Sequence, residues 1–182
     1  MAKENFTKFI LLGLITTECK SGYDIKQMID QSLSHFWKIS YGQIYPNLKK
    51  LVEEGLATVT ETVQEGKPDK KEYHITKAGQ QLLKDWLQQP LTEFPTERNE
   101  MLLKLFFSRH QEKAVALEQV QAYKDRLTER YLVYEGIKTY IAEHESEKND
   151  AMYWLITLDY GKKTTKAALD WCDTTIEKLK LR

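Results

Sequence analysis

Apolar residues recur at intervals of three and four along four segments of the first half of the chain, which is the spacing of amphipathic helices. The segments run over 6–15, 21–36, 42–55 and 76–89. The first is apolar on most of its circumference, so we expect a helix that is buried on nearly every side. The third has a narrower apolar stripe, and we expect its other face to meet solvent. The residues of this stripe are Ile44, Leu48, Leu51 and Val52.

Between the third and fourth segments, the apolar period changes from about 3.6 residues to 2. Residues 56–63 are rich in threonine and valine, a β-branched run that favours a strand. A turn cluster follows at 65–69, and residues 71–75 return as the partner strand. The pattern predicts a β-hairpin with a basic tip.

The ends of these helices carry recognisable signals. Asp24 stands three residues after Ser21, the spacing of a capping box. Gly55 supplies the positive φ that commonly ends a helix. Pro46 has no N–H, which a helix tolerates in its first turn, and we therefore place the start of the third helix near 42–44. N-cap positions are predicted at Ser21, Ser40 and Thr76.

Pro90 and Pro95 bracket a short segment without helical periodicity, which is the clearest domain boundary in the chain. We predict a first domain at residues 1–90, which includes the hairpin. A second, all-helical domain is predicted at residues 96–182. The fold class is therefore mainly α.

The second domain is predicted to consist of helices over 97–109, 111–145 and 149–181. The two long helices carry sustained apolar seams, which we expect to join two copies of the chain; packing of the seams against each other within one chain is the open alternative. The last helix has small residues on its seam that permit a close approach. They are Gly161, Thr165 and Ala168.

The distribution of charged residues along the chain indicates a class of function. Acidic and basic residues number 27 each, so the chain has no net charge, but the lysines are unevenly distributed. Residues 36–52 contain Lys38, Lys49 and Lys50 and no acidic residue, and residues 66–77 contain four lysines against two acidic residues. These patches coincide with the third helix and the hairpin. Three helices followed by a hairpin form a winged helix-turn-helix, in which the third helix enters the major groove of DNA and the hairpin contacts the backbone.

Candidate DNA contacts follow from this placement. Lysines neutralise phosphates without reading sequence, whereas Asn and Gln have paired donor and acceptor groups that match an adenine edge. Tyrosines reach phosphates or a thymine methyl group. The candidates on the third helix are Tyr41, Gln43, Tyr45, Asn47, Lys49 and Lys50, and those on the hairpin are Lys67, Lys70 and Lys71. One such unit reads a short half-site, so we expect a homodimer whose copies are about 34 Å apart on the operator, joined through the C-terminal helices.

Several motifs together resemble the PadR family of transcriptional regulators, in its long subfamily with a helical C-terminal dimerisation domain. They read SGYDI at 21–25, FW at 36–37, QIYPNLKKL at 43–51, EEGL at 53–56, YHITKAG at 73–79, WL at 86–87 and EMLLKLFF at 100–107. The resemblance implies a homodimer bound to an inverted-repeat operator, and usually repression. It also implies small effectors, which are p-coumaric and ferulic acids for the phenolic acid repressors and drugs for other members.

An effector site is predicted near the junction of the two domains, where aromatic side chains are expected to form the walls that a small planar acid needs. Aromatic residues at helical spacing also serve as ordinary core, and this alternative stays open. The candidates are Tyr23, Phe106, Trp154, Tyr160 and Trp171.

Other classes of function are less well supported by the residues. The four histidines lie far apart, there is no glycine-rich phosphate loop, and the two cysteines are widely separated, so we expect no enzyme, no cofactor and no metal. The lack of a long apolar segment or secretion signal favours the cytoplasm. The main alternative is a helical protein-interaction module that binds no DNA.

Overall fold

The computed structural model describes residues 6–62, 70–91 and 98–181. The chain divides into two compact units, Met1–Phe94 and Pro95–Arg182. The predicted fold class is confirmed: the described residues form a mainly helical protein with one antiparallel pair of strands. None of the described helices has both the length and the apolar character needed to cross a bilayer.

The first unit has the element order that the hydrophobic pattern predicts. Its elements are α1 (Phe6–Thr16), α2 (Gly22–Gln31), α3 (Tyr41–Glu53), β1 (Ala57–Thr62), β2 (Lys70–Ile75) and α4 (Lys77–Leu87). A short 3-10 turn, Leu33–His35, lies between α2 and α3. The strands pair in register from Ala57 opposite Ile75 to Thr62 opposite Lys70.

The apolar stripes of α1, α2 and α3 meet in one core. Burying a Leu or Ile side chain contributes about 1.5–3 kcal/mol, so this cluster is the main source of stability in the unit. Tyr73 from β2 is buried in the same cluster and anchors the hairpin to it. The buried helical residues are Leu11, Leu12, Leu14, Ile15, Ile25, Ile29, Ile44, Leu48 and Leu51.

Two predicted helix ends are confirmed in atomic detail. The Asp24 N–H donates to Ser21 Oγ (3.1 Å) and the Ser21 N–H donates to Asp24 Oδ2 (3.0 Å), which completes the capping box. Gly55 has φ of 69°. Its N–H donates to the Val52 carbonyl, and the N–H of the next residue, Leu56, donates back to α3 at 2.8 Å. These bonds form a Schellman motif that ends α3.

Two boundary predictions are wrong. Helix α2 ends at Gln31 and not near Phe36, because Ser32 leaves the helical conformation (φ −130°, ψ −70°), its hydroxyl bonds the Met28 carbonyl and a 3-10 turn follows. Helix α3 begins at Tyr41, one residue before the predicted window, so Pro46 lies in its second turn. Pro46 has no N–H to donate to the Gly42 carbonyl. Both residues face solvent. Ser40 occupies the N-cap position but its side chain makes no capping bond.

The second unit is built on two long helices. Its elements are α5 (Glu100–Phe106), α6 (Lys113–Tyr140) and α7 (Ala151–Leu181), with a 3-10 turn at Ser108–His110 and a π-helical turn at Ile141–Glu145. The helices α6 and α7 are antiparallel, since Lys124 pairs with Asp173 and Glu135 pairs with Lys162 at 2.5 Å.

The apolar seams of α6 and α7 face each other within one chain. Val120 and Leu127 of α6 pack with Cys172 and Ile176 of α7, and Met101 of α5 joins them. A Cβ atom on Gly161 would lie 3.1 Å from the Tyr134 ring, which explains the small residue at this crossing. The seams that the sequence analysis assigned to contact between copies are therefore used by the fold of a single chain.

Candidate DNA-binding surface

Helix α3 has one buried and one exposed face, as predicted. Its apolar stripe lies in the core, while all six predicted contact residues are on the remaining surface. Five of them are exposed, and Asn47 is half-buried. The five are Tyr41, Gln43, Tyr45, Lys49 and Lys50.

Tyr41, the first residue of α3, is held by α2. Its hydroxyl donates to the Asp30 carboxylate, and Lys26 Nζ lies 4.6 Å from the centre of its ring. The hydrogen bond to the carboxylate raises the pKa of Tyr41, because the neutral hydroxyl is the form that donates. Sequence reasoning missed Asp30 and Lys26, since a contact between residues 11 positions apart follows no local motif.

Tyr45 packs over the start of α2. A Cβ atom on Gly22 would lie 2.5 Å from Cε1 of the Tyr45 ring, so any larger residue at this position would displace the ring. Tyr45 is nevertheless 60 % exposed. The residue thus joins α2 to α3 on one side and leaves most of its surface open to a ligand.

The two amide residues of α3 differ in their surroundings. Gln43 is exposed. The Asn47 side chain turns back along its helix, and its Nδ2 donates to the Gln43 carbonyl at 2.8 Å. Asn47 must therefore rotate before its amide is free to pair with a base.

The predicted phosphate-binding lysines have carboxylate partners. Lys49 Nζ is 3.6 Å from Glu53, Lys50 Nζ is 3.7 Å from Glu54, and Lys71 Nζ is 2.7 Å from Glu61. All three lysine side chains are more than half exposed. Surface pairs of this kind contribute about 0–1 kcal/mol, so a DNA phosphate readily replaces the carboxylate. Lys67 lies outside the described residues, and Lys70 is described only as the first residue of β2.

The hairpin is fixed against the helical core. The Tyr73 N–H donates to the Lys20 carbonyl at 2.8 Å, and burial raises the pKa of the Tyr73 hydroxyl. The Thr76 hydroxyl donates to the Gly55 carbonyl at 2.7 Å, and the Thr76 N–H donates to the Leu56 carbonyl at 3.0 Å. These bonds tie the base of the hairpin to the end of α3.

The five predicted effector residues have unlike surroundings. In the first unit, Tyr23 is 70 % exposed. In the second unit, Phe106 and Tyr160 are 82 % and 72 % exposed, and Trp154 is half-buried. Trp171 packs against the core of the second unit, with its ring 6.5 Å from that of Tyr123. Trp171 directly precedes the buried Cys172 on α7 and is itself half-buried.

A groove of about 500 Å³ lies where the π-helical turn meets α7, and none of the five predicted effector residues lines it. Its walls are mostly apolar and include Ile141, Met152 and Ile156. Among the residues described, no cluster of three or more His, Cys, Asp or Glu side chains could hold a metal ion.

Comparisons with known proteins agree on one family. The model of the transcriptional regulator PadR-like family matches residues 11–85, and that of the virulence activator alpha C-terminal domain matches residues 97–180. The negative transcriptional regulator PadR of Bacillus subtilis is 32 % identical over 175 residues, which cover 93 % of this chain and 94 % of that protein. The chain belongs to the PadR family of transcriptional regulators.

Solved structures of that PadR protein share the whole fold. Its complex with operator DNA has a TM-score of 0.84 and 28 % identity, covering 96 % of this chain and 99 % of that chain. Its complex with p-coumaric acid has a TM-score of 0.77 and 26 % identity, covering 95 % and 98 %. The predicted PadR family and winged-helix fold are thus confirmed, and the family consists of regulators and not of enzymes.

Proposed function

We propose that this PadR-family regulator is a repressor that binds an inverted-repeat operator as a homodimer. The observation that carries the proposal is the exposed polar face of α3, which lies beside a hairpin bonded to the end of the same helix. A rigid helix with amides and cations on its outer face fits the major groove, and a basic hairpin fits the flanking backbone.

We assign base recognition and phosphate binding to different residues. Gln43 is the exposed amide of α3 and reads a base edge, with Asn47 joining it after rotation. Lys49, Lys50 and Lys71 exchange their carboxylate partners for phosphates. Tyr45 adds contact through its exposed ring edge. Lys67 and Lys70 of the hairpin complete the set that we propose for the backbone.

A second apolar surface of the helical unit supports the homodimer. The seams of α6 and α7 are already covered, yet seven further large apolar side chains between positions 132 and 160 remain more than 45 % exposed. Monomeric proteins rarely leave a large contiguous apolar patch in water. We propose that a second copy covers this face. The residues are Leu132, Val133, Tyr140, Met152, Tyr153, Ile156 and Tyr160.

We further propose that a small aromatic acid releases the protein from DNA. The support is the bound p-coumaric acid in the similar PadR structure of B. subtilis. Of the five predicted residues, we propose Phe106 and Trp154 of the second unit for this role. Tyr160 lies on the face proposed for the second copy, and Trp171 packs against the core. We also propose a cytoplasmic location, because a DNA-binding regulator acts where the DNA is.

A gel-shift titration tests this function. The probe is the DNA upstream of the protein's own gene, and the control is a scrambled fragment of equal length. We expect retention of the upstream fragment at a salt concentration that releases the scrambled one, and loss of retention when p-coumaric acid is added. Equal retention of both fragments contradicts operator binding, whereas retention that no phenolic acid alters contradicts the proposed effector alone.

A further inference from the structure

The contact between the last turn of α2 and the first residue of α3 suggests a role for two residues outside the predicted DNA-binding set. Asp30 accepts a hydrogen bond from the Tyr41 hydroxyl, and Lys26, one turn earlier on α2, lies over the Tyr41 ring. The Tyr41 side chain is therefore held at both its hydroxyl and its face by α2.

Apart from Ile39, which packs against the core two residues before Tyr41, the start of α3 has few other restraints. The Ser40 side chain does not cap the helix. The first residue of α3 in the core is Ile44, one turn after Tyr41. Pro46 also removes the backbone bond that would join it to Gly42. Tyr41 is thus the side chain that ties this first turn to α2, and Gln43 is part of the same turn.

We propose that Asp30 and Tyr41 are positioning residues that set the orientation of Gln43 and hence the sequence preference of α3. Lys26 supports them from the ring face, where a cation near an aromatic ring is attracted by its quadrupole. The inference rests on the proposed function. It gives Tyr41 a role that is distinct from direct contact with a phosphate or a thymine.

A purely electrostatic role for Asp30 makes a different prediction. As an exposed carboxylate near the DNA-binding face, Asp30 would repel DNA of every sequence alike. Its removal would then raise affinity for operator and scrambled DNA by the same factor and leave their ratio unchanged. The ratio of the two affinities therefore separates positioning from charge.

The variants Asp30→Asn and Asp30→Ala are a matched pair for this test. Both remove the same charge, but only asparagine retains a side-chain oxygen that accepts from the Tyr41 hydroxyl. We expect Asp30→Ala and Tyr41→Phe each to lower the ratio of operator to scrambled affinity roughly tenfold, the range for a hydrogen bond to a charged group. Asp30→Asn should retain part of the preference. The double variant Asp30→Ala/Tyr41→Phe should lose no more than either single variant, since both remove one contact.

Two outcomes overturn the proposal. One is an unchanged ratio in Asp30→Ala and Tyr41→Phe, and the other is a double variant whose loss is the product of the two single losses. Circular dichroism melts of each variant identify any global unfolding, and in that event Tyr41→Phe, which removes a single oxygen atom, decides the question.

A measurement without DNA separates failure of this proposal from failure of the proposed function. In protein with ¹³C-labelled tyrosine, the Tyr41 resonance should titrate at a lower pH in Asp30→Ala than in the wild type. If it titrates identically, the contact does not exist and the positioning role is overturned, whatever the DNA results. If the contact exists but the wild type does not discriminate between the two fragments, the proposed function fails and the positioning role fails with it.

Discussion

Lys8 of α1 and Glu54 at the end of α3 form an ion pair of 2.6 Å, although their positions are 46 residues apart. The pair joins the first helix to the element that carries the candidate DNA contacts. The hydrogen bond from Lys8 holds the pKa of Glu54 below its usual value of 4.5, with a further contribution from Lys50.

The first prediction concerns pH. Because the pKa of Glu54 is lower in the folded protein than in the unfolded chain, the pair stabilises the fold above the unfolded pKa, and this contribution is lost as pH falls through the folded value. Glu54→Gln should lower the free energy of unfolding by less than about 1 kcal/mol at neutral pH and by a smaller amount at about pH 3. Urea unfolding at the two pH values measures this. Glu53→Gln, which affects a looser pair with Lys49, is the control.

The second prediction concerns the glycine beneath Tyr45. Gly22→Ala should gain none of the roughly 0.5–1 kcal/mol that a helical glycine-to-alanine change ordinarily adds to the free energy of unfolding, because the new methyl group displaces the Tyr45 ring. Gly13→Ala in α1 is the matched control: a Cβ there meets nothing within 4 Å, and the substitution should stabilise by about 0.5–1 kcal/mol. Urea titration compares the variants, and a Gly22→Ala protein as stable as Gly13→Ala would rule out the close packing.

The third prediction separates base reading from phosphate binding. Gln43→Ala should lower the affinity for operator by about 1–3 kcal/mol and relax its sequence preference, with little effect on scrambled DNA. Lys70→Ala should weaken binding to both fragments and reduce the slope of log affinity against log salt by about 1. Fluorescence anisotropy at several salt concentrations provides both quantities. Equal changes in preference for the two variants would contradict the division of roles.

The fourth prediction concerns the exposed apolar face of α7. Ile156→Asp should raise the dissociation constant of the homodimer by at least about thirtyfold, the effect of losing an interface residue worth 2 kcal/mol. Thr174→Asp is the control: it adds the same charge at an exposed position of α7 about four turns beyond Tyr160, the last residue of this face. Sedimentation velocity measures the association. A wild type that is monomeric at every concentration tested would refute the proposed dimer.

Signals between near neighbours in sequence made much of the fold predictable. The capping box of Ser21 and Asp24, the stop at Gly55 and the change of period after it each depend on residues within one turn of one another. The stripe of Ile44, Leu48 and Leu51 also identified the exposed face of α3. These features needed no knowledge of the rest of the chain.

Contacts between elements were beyond the reach of the sequence. The end of α2 at Gln31 depends on a serine that bonds the helix backbone, with no glycine or proline to mark it. The contacts of Tyr41 with Asp30 and of Tyr45 with Gly22 depend on how α2 and α3 cross. The seams of α6 and α7 pack against each other within one chain. Periodicity identifies each apolar stripe but does not determine which other stripe it packs against.

The bonds that Thr76 makes to Gly55 and Leu56 have a consequence for the DNA itself. They leave little freedom between α3 and the hairpin, and a Cβ on Gly79 would lie only 2.1 Å from the Leu56 carbonyl, so the joint is also tightly packed. A duplex that does not match this fixed geometry must bend or twist to meet both elements. Affinity will therefore depend on the stiffness of base steps that no side chain touches, with flexible pyrimidine–purine steps favoured there.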